Sequence, residues 1–178
     1  SAGDHSDYSV PTGGALTIEG WIAPSTLEFT YFEVSGYVHW LGKGDTSGAN
    51  PNQHEYVMRV YSLTNSESRP NRVSGYVYPA TGGAGVGSYF QQGLVSTDDG
   101  TPPDMVAGEW IHVALVINDG TNLTKLYRNG VLMDHDDMSA VTVADGTEPL
   151  RIGTRDGLSF WEGGVGKVAL YRTELSAD

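Results

Sequence analysis

Carboxylates crowd the turn-rich stretches of this chain. Asp98, Asp99 and Asp104 fall within Ser96–Asp104, a run built from Gly, Pro, Ser and Thr. Asp134, Asp136 and Asp137 come soon after an Asn-Gly pair, and Asp156 and Glu162 occupy the 154–163 stretch. Calcium takes about six to eight oxygens from carboxylates, amide side chains and backbone carbonyls, so a flexible acidic loop can supply much of a shell. The expected ion site is therefore Asp98, Asp99 and Asp104, completed by Asp156 and Glu162 from a neighbouring loop. For any single Asp the plain solvated turn is the competing reading and the stronger one, because its side chain can bond its own backbone.

A second set of residues suits a sugar. Rings stack on the C–H faces of a pyranose, and fork-shaped donors bond its hydroxyls. Arg59, Tyr61, Arg72, Tyr76 and Tyr78 alternate with apolar residues in two strand-like runs, as Trp21 does in an earlier one, so they share a face directed away from the core. His112 joins that face by the same rule. The expected sugar contacts are Arg59, Tyr76, Tyr78 and Trp161, with Asn50 and Asn52 reaching in from the exposed 45–53 loop. The competing explanation is that Tyr and Trp simply favour strands and that one face of a half-buried sheet meets water.

Other chemistry finds little support. Glu19, Glu55, Glu109 and Glu148 are isolated, whereas a glycosidase that uses a nucleophile and an acid needs two carboxyls roughly 5 Å apart. His112 has no visible base partner. There is no cysteine, which excludes disulfide, thiolate and zinc-ribbon chemistry. The glycines at 82–87 carry no Lys and open no helix, so they do not form a phosphate loop. Asn122-Leu123-Thr124 is a formal glycosylation sequon that has meaning only on a eukaryotic secretory route.

The elements that must position these residues read as strands. Short runs of alternating apolar residues predict strands near 15–23, 37–43, 54–63, 72–79, 86–91, 110–118, 123–128, 131–135, 149–153 and 163–172. With 24 Gly and 8 Pro and no long 3.6-residue periodicity, the chain reads as all-β. Asn129-Gly130 between two such runs predicts a two-residue type I′ hairpin, since both turn residues must take positive φ. The predicted architecture is two antiparallel sheets packed face to face, with Ile18, Val113, Leu115 and Ile152 in the core.

Particular strings identify a family. Gly108-Glu109-Trp110-Ile111-His112-Val113-Ala114, followed by Leu126-Tyr127-Arg128-Asn129-Gly130-Val131-Leu132, resembles the laminin-G-like members of the concanavalin A-like lectin/glucanase superfamily. Leu16-Thr17-Ile18-Glu19-Gly20-Trp21-Ile22 looks like their early strand. Pro149–Gly153 and Gly164–Ser176 look like their closing strands. The resemblance spans nearly the whole chain and implies a jelly-roll β-sandwich, often with a calcium ion. One departure matters: Gly166-Lys167 stands where many relatives carry Asp-Glu, so a metal ligand at that place is not inherited. The paired-Glu run (Glu-x-Asp-x-x-Glu) of glucan-hydrolysing sandwiches is missing. Arg172-Thr173-Glu174-Leu175 matches a string of sandwich-fold alginate lyases but lies at the wrong end of the domain and lacks that family's companion motifs.

Composition narrows the partners. A formal charge of −12 over 178 residues, with 10 Lys and Arg, argues against nucleic acid, which needs clustered cations. It favours neutral sugars over uronates. No apolar stretch approaches a membrane span. The chain opens Ser1-Ala2-Gly3 and reads as one domain excised from a larger extracellular or cell-surface protein, such as a bacterial adhesin or a polysaccharide-active enzyme. The expectation is a monomeric, lectin-like module, with or without calcium. A lyase or glycosidase with an unrecognised site, and a structural or protein-binding module, remain the alternatives.

Overall fold

A computed structural model describes residues 2–33, 35–44, 53–94 and 102–176. Among the described residues, a 3₁₀ turn at Ser6–Tyr8 is followed by ten strands, each within a few residues of the run that predicted it. They are β1 (Ala15–Pro24), β2 (Tyr37–Lys43), β3 (Tyr56–Tyr61), β4 (Val73–Val77), β5 (Val86–Phe90), β6 (Ile111–Asn118), β7 (Leu123–Arg128), β8 (Val131–Asp137), β9 (Leu150–Ile152) and β10 (Gly163–Tyr171). Sheet A has the order β10-β1-β6-β7-β8 and sheet B the order β5-β4-β3-β2-β9. Neighbouring strands run antiparallel throughout.

Period-two alternation decides what lies between the sheets. From sheet A, Leu16, Ile18 and Ile22 of β1 and Val113, Leu115 and Ile117 of β6 point inward and are buried. From sheet B, Tyr56, Met58 and Val60 of β3 and Val73 and Val77 of β4 meet them. Each fully buried aliphatic side chain contributes roughly 1.5–3 kcal/mol, so this layer supplies the main driving force. Ile152 is a correction. It was expected in the core but is 51% exposed, and Leu150 takes the inward place at 3%. β9 is a three-residue edge strand, and Ile152 is its last residue before a turn at Gly153 (φ 84°). A strand end at a sheet edge has a neighbour on one side only, so little covers it.

Local chain geometry follows the sequence closely elsewhere. Asn129 (φ 51°) and Gly130 (φ 81°) form the predicted turn, with Arg128 paired to Val131 across it. In β2 the register slips between His39 and Leu41. This bulge lets Trp40 and Leu41 both bury while His39 is sent outward beside Arg59. A second bulge in β10 falls at Lys167, which takes φ 49°, inside the segment where the resemblance to the family breaks down.

The outward residues need regrouping. Trp21, Arg59, Tyr61, Arg72, Tyr76, Tyr78 and His112 were read as one second face. β1 and β6 belong to sheet A, and β3 and β4 to sheet B, so the set divides between opposite sides of the sandwich. Alternation tells inward from outward but is blind to which sheet a strand joins.

Candidate functional site on the outer face of sheet B

Registered pairing lays out the outer face of sheet B as a grid. Tyr37 pairs with Tyr61, whose N–H bonds the carbonyl of Arg72. In the next row stand His39, Arg59, Ser74 and Tyr89, and in the third Val57 beside Tyr76. Arg59 is the centre. Its guanidinium carbon lies 4.4 Å from the Tyr76 ring centre, 4.6 Å from Tyr37 and 5.3 Å from Tyr61. Its Nε donates to Ser74 Oγ at 3.1 Å. Three rings and a hydroxyl thus hold one half-buried cation in place.

Loops wall this face on the β2 side. The chain after β1 (25–33) and the chain after β9 (153–162) are zipped together. Phe160 N–H bonds Tyr31 O, Ser25 N–H bonds Glu162 O, and the Phe29 and Trp161 rings pack 5.5 Å apart. The wall carries Glu33, Arg155 and Ser159. Arg155 Nη2 donates to both Glu33 oxygens at 2.8 and 2.9 Å, and its Nε donates to Asp156 Oδ2 at 3.0 Å. Gly42 makes this possible: a Cβ there would sit 2.9 Å from Arg155 Cγ. His39 lies beneath, fully buried, with Nδ1 2.8 Å from Ser159 Oγ and 3.6 Å from Glu33 Oε1. Beyond it the His54 and Tyr78 rings stack face to face.

Burial tunes the titrating groups. Desolvation, reinforced by the guanidiniums of Arg155 and Arg59 and by His54, drives His39 well below the ordinary histidine value, so it stays neutral. Tyr37 is pushed up to about 12, by burial first and then by the Glu33 carboxylate. Its hydroxyl therefore remains a donor, and it reaches Glu33 Oε2 at 3.4 Å. Burial also raises Glu33, against the pull of Arg155. The face presents half-buried rings (Tyr37, Tyr76, Tyr78, Tyr89) among fixed donors, the combination that a sugar's alternating C–H faces and hydroxyls require.

The structure brings together only some of the expected residues. Arg59, Tyr76 and Tyr78 share this face. Trp161 does not join them: it is 8% exposed, its ring packs in the core against Phe29, and its N–H donates to Gly164 O at 3.1 Å. It fastens the wall instead of facing a ligand. Asn50, Asn52, Asp98 and Asp99 lie outside the described residues. Of the remaining carboxylates proposed for calcium, Asp156 holds Arg155 and the Leu158 N–H, and Glu162 holds Thr30 through its N–H and hydroxyl. Asp104 is exposed, and its carbonyl accepts from Arg128 at 3.3 Å. Among the described residues no three His, Asp or Glu are grouped to hold a metal. Tyr37, His39, Ser74 and Tyr89 were missed. Their signal was present, since the same alternation points each outward from β2, β4 or β5. Glu33, Arg155 and Ser159 come from loops with no periodicity to read.

The opposite face, on sheet A, carries a smaller constellation. His112 was read as lacking a partner, and that reading is corrected. Cross-strand neighbours in β1 and β6 place His112 Nε2 3.1 Å from Glu19 Oε2, and Tyr171 donates to Glu19 Oε1 at 3.0 Å. Trp21 (40% exposed) lies 5.4 Å from the His112 ring. His112 and Tyr171 occupy both Glu19 oxygens, and no second carboxylate pairs with it among the described residues.

The fold is shared with several solved structures. A protein of Bacteroides ovatus proposed to bind carbohydrate superposes with a TM-score of 0.59 at 16% identity, over 94% of this chain and 40% of that one. The leech intramolecular trans-sialidase gives 0.64 at 14%, over 93% and 22%. A pentraxin of Limulus polyphemus gives 0.57 at 14%, over 92% and 68%. The chain thus spans well under half the length of the first two. Among curated proteins no sequence match was found. A laminin G family model, described as the concanavalin A-like lectin/glucanases superfamily, matches residues 2–178. The ten-stranded sandwich, its register and this match over nearly every residue agree: the chain belongs to the concanavalin A-like lectin/glucanases superfamily.

Proposed function

We propose that this chain is a non-catalytic carbohydrate-binding module of a secreted or cell-surface protein, and that its glycan lies across the outer face of sheet B. The observation that carries this reading is the Arg59 cage: rings and fixed donors held half-buried on a sheet face and walled by a braced loop pair. Support comes from the family and from neighbours described as a carbohydrate-binding candidate and as toxin receptor-binding domains. The trans-sialidase neighbour is an enzyme, but this chain spans only 22% of it. A shallow face of this kind binds weakly per site, and repetition in a longer chain would add avidity. The reading needs no metal. A melt with calcium and with chelator tests the ion expected at 96–104 separately, because an ion that binds only the folded state raises the melting temperature.

The experiment is a glycan array followed by calorimetry on the best hit, with wild type and Tyr76→Ala. Loss of binding in a variant that melts normally supports the platform. Undiminished binding in Tyr76→Ala and in Arg59→Ala overturns it.

A further inference from the structure

We infer that this face reads an anionic substituent on its glycan, a carboxylate or a sulfate, and that the Arg59 guanidinium takes it. The inference rests on the glycan-platform reading above and names the ligand class that the platform selects.

Four of the ten cationic side chains of this strongly acidic chain gather on this one face: Arg59, Arg69, Arg72 and Arg155. They fall into two kinds. Arg155 is saturated by Glu33 and Asp156, and Arg69 is held by Glu67 and the Tyr61 hydroxyl. Arg59 and Arg72 have no carboxylate partner among the described residues. Each spends its Nε on a neutral acceptor, Arg59 on Ser74 Oγ at 3.1 Å and Arg72 on Gln91 Oε1 at 2.8 Å. Each then lays its plane against tyrosine, Arg72 at 3.8 Å from the Tyr89 ring centre. The terminal nitrogens, which form the fork that matches carboxylate or sulfate geometry, bond no acceptor among the described residues.

Such a state is costly for a structural cation. A half-buried charge is normally paired, and breaking or omitting the pair leaves its desolvation uncompensated. With 22 acidic residues in the chain, Arg155 and Arg69 receive counter-charges, whereas among the described residues no carboxylate stands within ion-pair distance of their two neighbours. Stacking on tyrosine explains where the Arg59 plane lies; it does not use the fork. The rings pre-organise the fork in one orientation, which lowers the ordering cost when an anion arrives. Arg72 stands beside Tyr61, one strand over and one row along from Arg59. Diagonal neighbours in a sheet are about 7–8 Å apart, close enough for a second donor set to meet the same sugar or the next.

The formal charge of −12 points towards neutral sugars, and the local charge points the other way. Range decides between them. Surface carboxylates farther away than the Debye length, about 8 Å at physiological salt, are largely screened, whereas a fork in direct contact within a half-buried site is not.

The test uses matched ligands: galacturonate oligomers against their methyl esters, and a sulfated galactan against its desulfated form, each titrated calorimetrically at physiological salt. Wild type is expected to favour at least one acid form over its neutral partner by tenfold or more, and the pair that responds distinguishes carboxylate from sulfate. In Arg59→Met the acid-to-neutral ratio should fall towards one, and Arg59→Lys, which keeps the charge but loses the fork, should recover only part of it. Melting curves check that the variants fold. If Arg59→Met does not, Arg72→Met is the second variant, and it should narrow the ratio as well. Equal wild-type affinity for acid and neutral partners overturns the inference and leaves the platform standing, provided that Tyr76→Ala still abolishes binding. If Tyr76→Ala binds as wild type does, the platform falls and the inference with it.

Discussion

The two outer faces of this sandwich are built by one alternation rule and differ in what covers them. On sheet B, two loops from distant parts of the chain lock together beside β2 and bury His39, and Arg59, Ser74 and Tyr76 of the same face are half-buried or buried. On sheet A, Glu19, His112, Tyr171 and Trp21 stand in a similar mixture of ring, carboxylate and imidazole but remain more open. The types alone do not separate the faces. Cover does: it fixes geometry, strengthens electrostatics and raises the cost of any group left unmatched.

The largest difference should appear when the ion pair of each sheet is broken. Lys43 of β2 is buried against Glu55 and also donates to Gly146 O at 2.8 Å, whereas Lys125 of β7 meets Glu174 at 2.6 Å with both side chains about a third exposed. Removing one partner of a buried pair costs about 3–5 kcal/mol, and surface pairs are worth roughly 0–1 kcal/mol. Denaturant melts of Lys43→Met and Lys125→Met should therefore differ widely. Equal losses would mean that burial of the Lys43–Glu55 pair has no energetic consequence.

A smaller effect concerns pH. His39 is held neutral, its folded value lying well below 6.5, so its contribution to stability is present above about 6.5 and is lost as pH falls through that lower folded value. His39→Gln should flatten the acid limb of the stability curve below about pH 6.5. A limb of unchanged slope would show that His39 is not held neutral in the fold.

On sheet A the turn at Gly130 offers a still smaller lever. A Cβ there meets open space, so Gly130→Val costs only the strain of positive φ, about 1–2 kcal/mol. Glycan affinity should be unaltered, because β7 and β8 lie in the other sheet. A weakened affinity in a folded Gly130→Val protein would shift attention to sheet A.

How much of this was legible depends on the distance over which each signal acts. Ten strands and the Asn129-Gly130 turn follow from periodicity and turn chemistry confined to a few neighbouring residues. Arg59 and Tyr76 were also within reach, since alternation marks them as outward. What alternation lacks is sheet membership, and so Trp21 and His112 were grouped with residues on the far side of the core. Trp161 failed for a related reason: a large aromatic in a loop can face a ligand or pin that loop, and only the contact with Phe29 distinguishes the two. The Glu33–Arg155 brace joins segments over a hundred residues apart, and no local pattern announces it.

The central claim, that sheet B and not sheet A carries the ligand, is tested most directly by an amide chemical-shift titration with the best array hit. The account predicts that the shifts concentrate at Arg59, Ser74, Tyr76 and Tyr89, with Glu19, Trp21 and His112 silent. Shifts that concentrate at Glu19, Trp21 and His112 and leave Arg59 unmoved would contradict it.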